Sequence, residues 1–305
     1  MSWRKICHHH FTLILLACLS LKSLLALCLL TVALPGVAAE TVARKDIEYA
    51  TVDGISLKLD LFLPAERTNV PLIIYVHGGA WRSGSKSNPP VSTLVGKGFA
   101  VASVEFRQTP VAPFPANVHD IKAAVRFLRA RAGEHGYDAK RFVIAGTSSG
   151  GHLAALVGVS NGHKELEGEL GGHRDVSSDV QAIVSFYGAA NLQTILSQST
   201  PHGLSVRVPA LQLLLGGQPD EKPALARLAS PVTHVGKSDP PLLLIHGDAD
   251  PQMPIEQSRE LHAAYHRAGL PVKFIVLPGS VHGGKEFYDA TRLAIVEGFL
   301  RDHLR

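Results

Sequence analysis

Gly146-Thr147-Ser148-Ser149-Gly150 stands directly between an apolar run, Arg141-Phe-Val-Ile-Ala145, and a helix-like run, Gly151-His-Leu-Ala-Ala-Leu-Val157. A strand that turns this abruptly into a helix holds one side chain in a strained backbone conformation. Only small neighbours such as Gly146 and Gly150 let the two elements approach closely enough. Ser148 is thereby expected to stand out at the edge of a sheet. Chance supplies G-x-S-x-G often, so the weight of the motif depends on what surrounds it.

Upstream, Pro71-Leu-Ile-Ile-Tyr-Val76 reads as a buried strand and runs into His77-Gly78-Gly79-Ala80-Trp81, where small residues expose backbone N–H groups. Downstream, Pro241-Leu-Leu-Leu-Ile245 is a second buried strand ending in His246-Gly-Asp-Ala-Asp250. Val272-Lys-Phe-Ile-Val276 is a third, followed by a loop that presents His282. Serine, acid and histidine thus follow one another in the chain order expected of a fold built on such an elbow. A serine hydroxyl needs a base to take its proton, and a neutral imidazole can do so when its other nitrogen is held by a carboxylate. Ser148, Asp250 and His282 are the candidate catalytic residues. The amides of Gly79, Ala80 and Ser149 are the candidate donors to a developing oxyanion.

Helix and strand patterns alternate along most of the chain. Ile47–Val52 and Ile55–Leu63 alternate in polarity around Asp53-Gly54 and predict an antiparallel hairpin. Val91, Leu94 and Val95 predict a helix, Phe99–Phe106 a strand, and Val118, Ile121, Val125 and Leu128 a second helix at helical spacing. Further strands are expected at Arg141–Ala145 and Val180–Phe186, with helices at Pro254–Ala268 and Phe287–Leu300. The expected fold is α/β, a mostly parallel central sheet with helices on both faces. Residues 191–230 depart from the alternation and predict a small helical cap over Ser148.

The first 39 residues read as a separate object. Arg4 and Lys5 precede an apolar stretch, and Val37-Ala38-Ala39 offers small residues for cleavage before Glu40. The expectation is a signal peptide at residues 1–39 and one domain at 40–305, secreted or periplasmic in a bacterium, with no stable membrane insertion once the leader is cleaved. Cys7, Cys18 and Cys28 all lie in that leader, so the remaining chain has neither a disulfide framework nor a thiol nucleophile. Without Arg4, Lys5 and Lys22 the charge balance is 27 basic against 26 acidic residues. No basic stripe interleaved with aromatics appears, which argues against nucleic-acid binding.

Several residues admit a structural role beside a functional one. Asp248 competes with Asp250 for the acid position and is otherwise a loop cap. Trp81 is a candidate substrate-binding residue and, equally, a packing residue. His77 and His246 read as hydrogen-bonded supports, and Arg107 with Asp120 as a structural ion pair. His163, His173, Glu165, Glu167, Glu169 and Asp175 have the residue types of a metal site but no ligand spacing, and are expected in a solvated loop with no metal.

Together, Tyr75–Gly84, Asp120–Leu128, Gly146–Ala154 and His246–Asp250 resemble the α/β-hydrolase superfamily. Within it, the chain is similar to bacterial esterases of the hormone-sensitive lipase type and to feruloyl and acetylxylan esterase-like enzymes. The resemblance spans about Asp46 to His303 and implies a serine carboxylesterase without a cofactor, again pointing to Ser148, Asp250 and His282. Ser149 stands where such relatives usually have alanine, and Ala80 where the lipase-like branch often has glycine. Neither change removes a backbone donor. The implied partner is a small-molecule or polymer-borne ester, with feruloyl or acetyl groups of plant polysaccharide as one case. Short-chain esters, aryl polyesters, formamides and peptides are alternatives served by the same machinery.

Overall fold

Alternating polarity turns Thr41–Val52 (β1) and Ile55–Pro64 (β2) into an antiparallel hairpin. Asp53 and Gly54 form its turn, both at positive φ (49° and 77°), which matches the right-handed twist of the flanking strands. β1 starts six residues before the predicted Ile47. Lys45-Asp46 interrupts the alternation but is carried as a bulge, with the Lys45 ammonium and the Asp46 amide both bonded to the Asp60 carboxylate. The computed structural model describes residues 41–304, so the leader, its cleavage site and the three cysteines lie outside the described residues.

Six more strands complete one sheet: β3 (Val70–Val76), β4 (Ala100–Val104), β5 (Tyr137–Thr147), β6 (Ala182–Phe186), β7 (Leu242–Gly247) and β8 (Val272–Leu277). The order is β1-β2-β4-β3-β5-β6-β7-β8. Only the pairings of β2 with β1 and β4 are antiparallel, so the sheet is mostly parallel, as expected. The helices are α1 (Ala116–Ala130), α2 (Ala132–His135), α3 (Ser149–Val159), α4 (Lys164–Glu167), α5 (Ile195–Gln198), α6 (Pro201–Leu215), α7 (Pro223–Leu228), α8 (Glu256–Ala268) and α9 (Ala290–His303).

Strand alternation assigns the two faces. Leu72, Ile74 and Val76 of β3 join a core with Val118 of α1, Leu153 of α3 and Tyr265 of α8. Ile73 and Tyr75 point the other way, toward Leu94, Phe99 and the α9 residues Val296 and Leu300. Because both faces are covered, the central parallel strands β3, β4, β6 and β7 and the second half of β5 are almost wholly buried, while edge strand β8 is only partly so. Among the described residues no helix is long and apolar enough to cross a membrane.

Three expectations are corrected. The helix predicted around Val91–Val95 is a 3-10 segment, Ser92–Lys97, confined between Pro89-Pro90 and Gly98, whose φ of 89° ends it. The last helix starts at Ala290 rather than Phe287, because Asp289 accepts from the Arg292 amide at 2.8 Å and fixes the N-cap there. In the loop expected to be solvated around residues 163–175, Glu167 is instead held by buried cations. Fully buried Lys122 donates to it at 2.5 Å and to the Ser160 carbonyl at 2.6 Å, and Arg126 donates to the Glu167 carbonyl at 3.1 Å. The loop is thereby stapled to α1.

Candidate active site

All the segments singled out in the sequence end at the carboxyl edge of the parallel strands, the usual place for a site in an open α/β sheet. Ser148 follows β5 with φ 54° and ψ −123°, and its amide donates to the Phe186 carbonyl at 2.9 Å. The neighbouring glycines are required by contact. A Cβ on Gly146 would lie 2.2 Å from the Gly150 carbonyl oxygen, and one on Gly150 would lie 2.2 Å from that of Val76. This packing of strand on helix holds the Ser148 backbone in a conformation it would otherwise leave.

His282, in the loop after β8, has Nε2 at 2.8 Å from Ser148 Oγ and Nδ1 at 2.7 Å from Asp250 Oδ2. Asp250, after β7, has a fully buried carboxylate whose Oδ1 accepts from the Gln252 and Met253 amides, both at 2.8 Å. Burial alone would raise its pKa. Hydrogen bonding to His246 and His282, with the Met253 amide, outweighs it and holds the carboxyl well below the usual range. An ionised Asp250 can only accept, so Nδ1 of His282 carries the proton and Nε2 is free to accept from Ser148. Asp248, the competing acid, is exposed and accepts from the Gly279 amide at 2.6 Å, which makes it the loop cap.

Gly79, Ala80 and Trp81 after β3 take consecutive positive φ values of 122°, 52° and 61°, and the chain closes back through the Arg82 and Ser83 amides onto the Gly79 carbonyl. Among the described residues, the amides of Gly79, Ala80 and Ser149 donate to no protein acceptor. Gly79 and Ala80 line a cleft of about 430 Å³ together with Ser148 and His282. The Ser149 side chain is buried in α3 and its hydroxyl meets no partner, so it does not crowd the cleft.

Trp81 is not in the cleft wall, and its reading as a substrate contact is corrected. The left-handed backbone turns the indole into the core, where it is fully buried and donates Nε1–H to His152 Nδ1 at 3.0 Å. His152 donates Nε2–H to the Ala229 carbonyl at 2.6 Å, and burial pushes its pKa down to about 4, so it sits neutral. His77 stacks on Phe106 with centroids 4.6 Å apart, and His246 is bonded to Ser258 Oγ at 2.7 Å. Both are supports. Arg107 and Asp120 form the expected ion pair at 2.7 Å.

Several cleft residues escaped the reading of the sequence, Tyr187, Arg82, Gln252 and Val206 among them. Tyr187 follows β6 at φ 40°, packs its ring edge-on to His282 at 4.9 Å, and shares a 2.6 Å hydrogen bond with the Tyr288 hydroxyl. Its place at the end of a parallel strand was a usable signal. Arg82 lies beside the oxyanion loop, Gln252 in the acid loop, and Val206 on the cap helix α6. Nothing local marks the last as a neighbour of Ser148.

A family model described as BD-FAE matches residues 59–265. Esterase LipC of Mycobacterium tuberculosis is 33% identical over 217 residues, 70% of this chain and 53% of LipC. The chain spans about half the length of the curated relatives it matches. Among solved structures, a truncated carbohydrate esterase from gut microbiota aligns with TM-score 0.79 and 32% identity, covering 88% of this chain and 98% of that one. Esterase 2 of Thermogutta terrifontis, in a propionate-bound form, aligns with TM-score 0.69 and 26% identity over 87% of this chain and 94% of its own.

Proposed function

Because this chain belongs to the BD-FAE family of α/β-hydrolase esterases, we propose that it hydrolyses carboxylic esters through an acyl-enzyme on Ser148. The observation that carries this is the unbroken relay from Ser148 Oγ through His282 to Asp250, with bonds of 2.8 and 2.7 Å. His282 Nε2 takes the hydroxyl proton as Oγ attacks the ester carbonyl carbon. The resulting oxyanion meets the amides of Gly79, Ala80 and Ser149, which donate to no acceptor among the described residues. One such donor is worth about 3 kcal/mol in an acyl-transfer transition state. The imidazolium then gives its proton to the departing alcohol, and water repeats the cycle on the acyl carbonyl.

The substrate class is acyl esters of carbohydrate, acetyl or feruloyl, and the protein is exported by its first 39 residues. Support comes from the gut carbohydrate esterase that matches over nearly its whole length and from the leader pattern in the sequence. A fluorophosphonate should label Ser148, and Ser148→Ala should lower kcat on a short p-nitrophenyl ester by about 10⁴-fold or more. Equal turnover by the two proteins would sink the reading. Acetylated xylo-oligosaccharide and methyl ferulate, run beside the short ester, rank the substrate class.

A further inference from the structure

The cleft carries one further pattern that ester hydrolysis by itself does not use, and it concerns charge. Of the residues lining it, Arg82 alone bears a permanent charge. Its guanidinium is exposed at the cleft and has no partner among the described residues. Behind the cap wall lies a second guanidinium. Arg207 of α6 is fully buried, both its Nη atoms meet no acceptor among the described residues, and its Nε donates at 3.4 Å to the Gln252 carbonyl oxygen. Gln252 and Val206, the residue before Arg207, both line the cleft.

A buried guanidinium with both Nη atoms unpaired among the described residues is expensive, and an apolar side chain of similar size would be more stable there. Besides the long Nε bond to the Gln252 carbonyl, Arg207 lies over the Trp81 ring, 5.8 Å from its centroid. Burial pushes its pKa down to about 10, still far above neutrality, so it remains charged. The carboxylate it feels is Asp250, which is already committed to His282 and two amides. Across a low-dielectric wall, Arg207 therefore offsets the negative charge of Asp250 without touching it. This leaves Arg82 as the uncompensated charge at the cleft, a local field that favours an anion.

Resting on the ester hydrolase reading above, we propose that this cleft selects esters that carry a carboxylate close to the scissile bond. Arg82 pairs with that carboxylate and Arg207 is the fixed background cation. The shared chemistry has two sources: an acyl group with a free terminal carboxylate, or an acylated sugar whose neighbouring residue is a uronic acid. A forked guanidinium suits either.

The test measures kcat/KM of the full chain on two matched pairs: p-nitrophenyl hemisuccinate against p-nitrophenyl butyrate, and an acetylated methyl glucuronoside against the acetylated methyl glucoside. One pair should favour its charged member by about tenfold at low salt, the size of one hydrogen bond to a charged group. About 0.5 M NaCl should erode that preference, and Arg82→Gln should abolish it. Which pair responds tells the acyl source from the sugar source. Turnover of the neutral members with the same charged-to-neutral ratio in wild type and Arg82→Gln overturns this inference and leaves ester hydrolysis standing. No turnover of any member, with no fluorophosphonate labelling of Ser148, overturns both.

Discussion

The rim of strand ends and the cap are built in opposite ways. The rim is strained and tightly determined: Ser148, Ala80, Trp81 and Tyr187 all hold positive φ without being glycine; Ser148 and Tyr187 donate to the Phe186 and Ile245 carbonyls, Trp81 accepts from the Thr109 amide, and Ala80 sits in the turn that closes onto the Gly79 carbonyl. The cap is helical, and α6 is bounded by ordinary local caps. Thr200 caps α6 by accepting from the Gly203 amide at 3.0 Å, and Gly216 ends it at φ 71° with open space around its Cα. Strain is concentrated where atoms must be held for chemistry, while the cap contributes Val206 to the cleft and Arg207 to the field behind it. One buried histidine joins the two regions. His152 of α3 accepts from Trp81 of the rim and donates to the Ala229 carbonyl at the end of α7.

That joint gives the largest expected effect. Burial lowers the pKa of His152 to about 4, below the ordinary value of 6.5, so the unfolded chain binds this proton more readily than the folded one. Its stabilising contribution is present above about pH 6.5 and is lost as pH falls toward 4, about 3 kcal/mol in all. Urea midpoints between pH 7 and 4.5 should fall steeply in the wild type and more shallowly in His152→Gln. Parallel curves would mean that the joint is not proton-sensitive.

A pair of glycine substitutions separates the regions by the kind of constraint each imposes. Gly146→Ala drives a methyl into the Gly150 carbonyl and should cost about 3 kcal/mol of stability, with loss of turnover. Gly216→Ala meets no neighbour and suffers only from its left-handed backbone, about 1 kcal/mol. Equal costs in denaturant unfolding would remove the contrast between a rim set by contact and a cap set by local conformation.

The smallest effect is in selectivity. Val206→Phe narrows the cleft from the cap side and should lower the kcat/KM ratio of hexanoate to acetate p-nitrophenyl esters by several-fold. Trp81→Phe removes the indole N–H that His152 accepts and should lower stability by about 1–3 kcal/mol while keeping that chain-length ratio. A changed ratio in Trp81→Phe would return the indole to the substrate side of the loop.

Much of the rim was legible in the chain because its signals are local. A strand ending in G-x-S-x-G, another ending in His-Gly-Gly, and two more ending in an acid and a histidine each declare themselves within about ten residues, through periodicity and turn chemistry. The hairpin turn at Asp53-Gly54 and the helix end at Gly269 are of the same kind. The ten-residue horizon also explains the misplaced boundaries. The 3-10 segment at Ser92–Lys97 has the apolar spacing of a helix but too little chain between prolines and Gly98 to become one.

Three matters needed the assembled fold. Asp248 and Asp250 share one loop and one residue type, and only the position of His282 in the loop after β8 separates the acid from the cap. Trp81 points into the core because His152, 71 residues later, offers a buried acceptor. Val206 reaches the cleft, and Arg207 lies behind it, because α6 packs on the acid loop, with Thr200 bonded to the Pro251 carbonyl and Arg207 to that of Gln252. The sequence, by itself, determined the order of strands and helices and the side chains available at each strand end, since these follow from hydrophobic spacing and backbone sterics. Which of those side chains meet was left to the packing of distant segments, because burial, hydrogen-bond satisfaction and charge compensation are properties of neighbours in space.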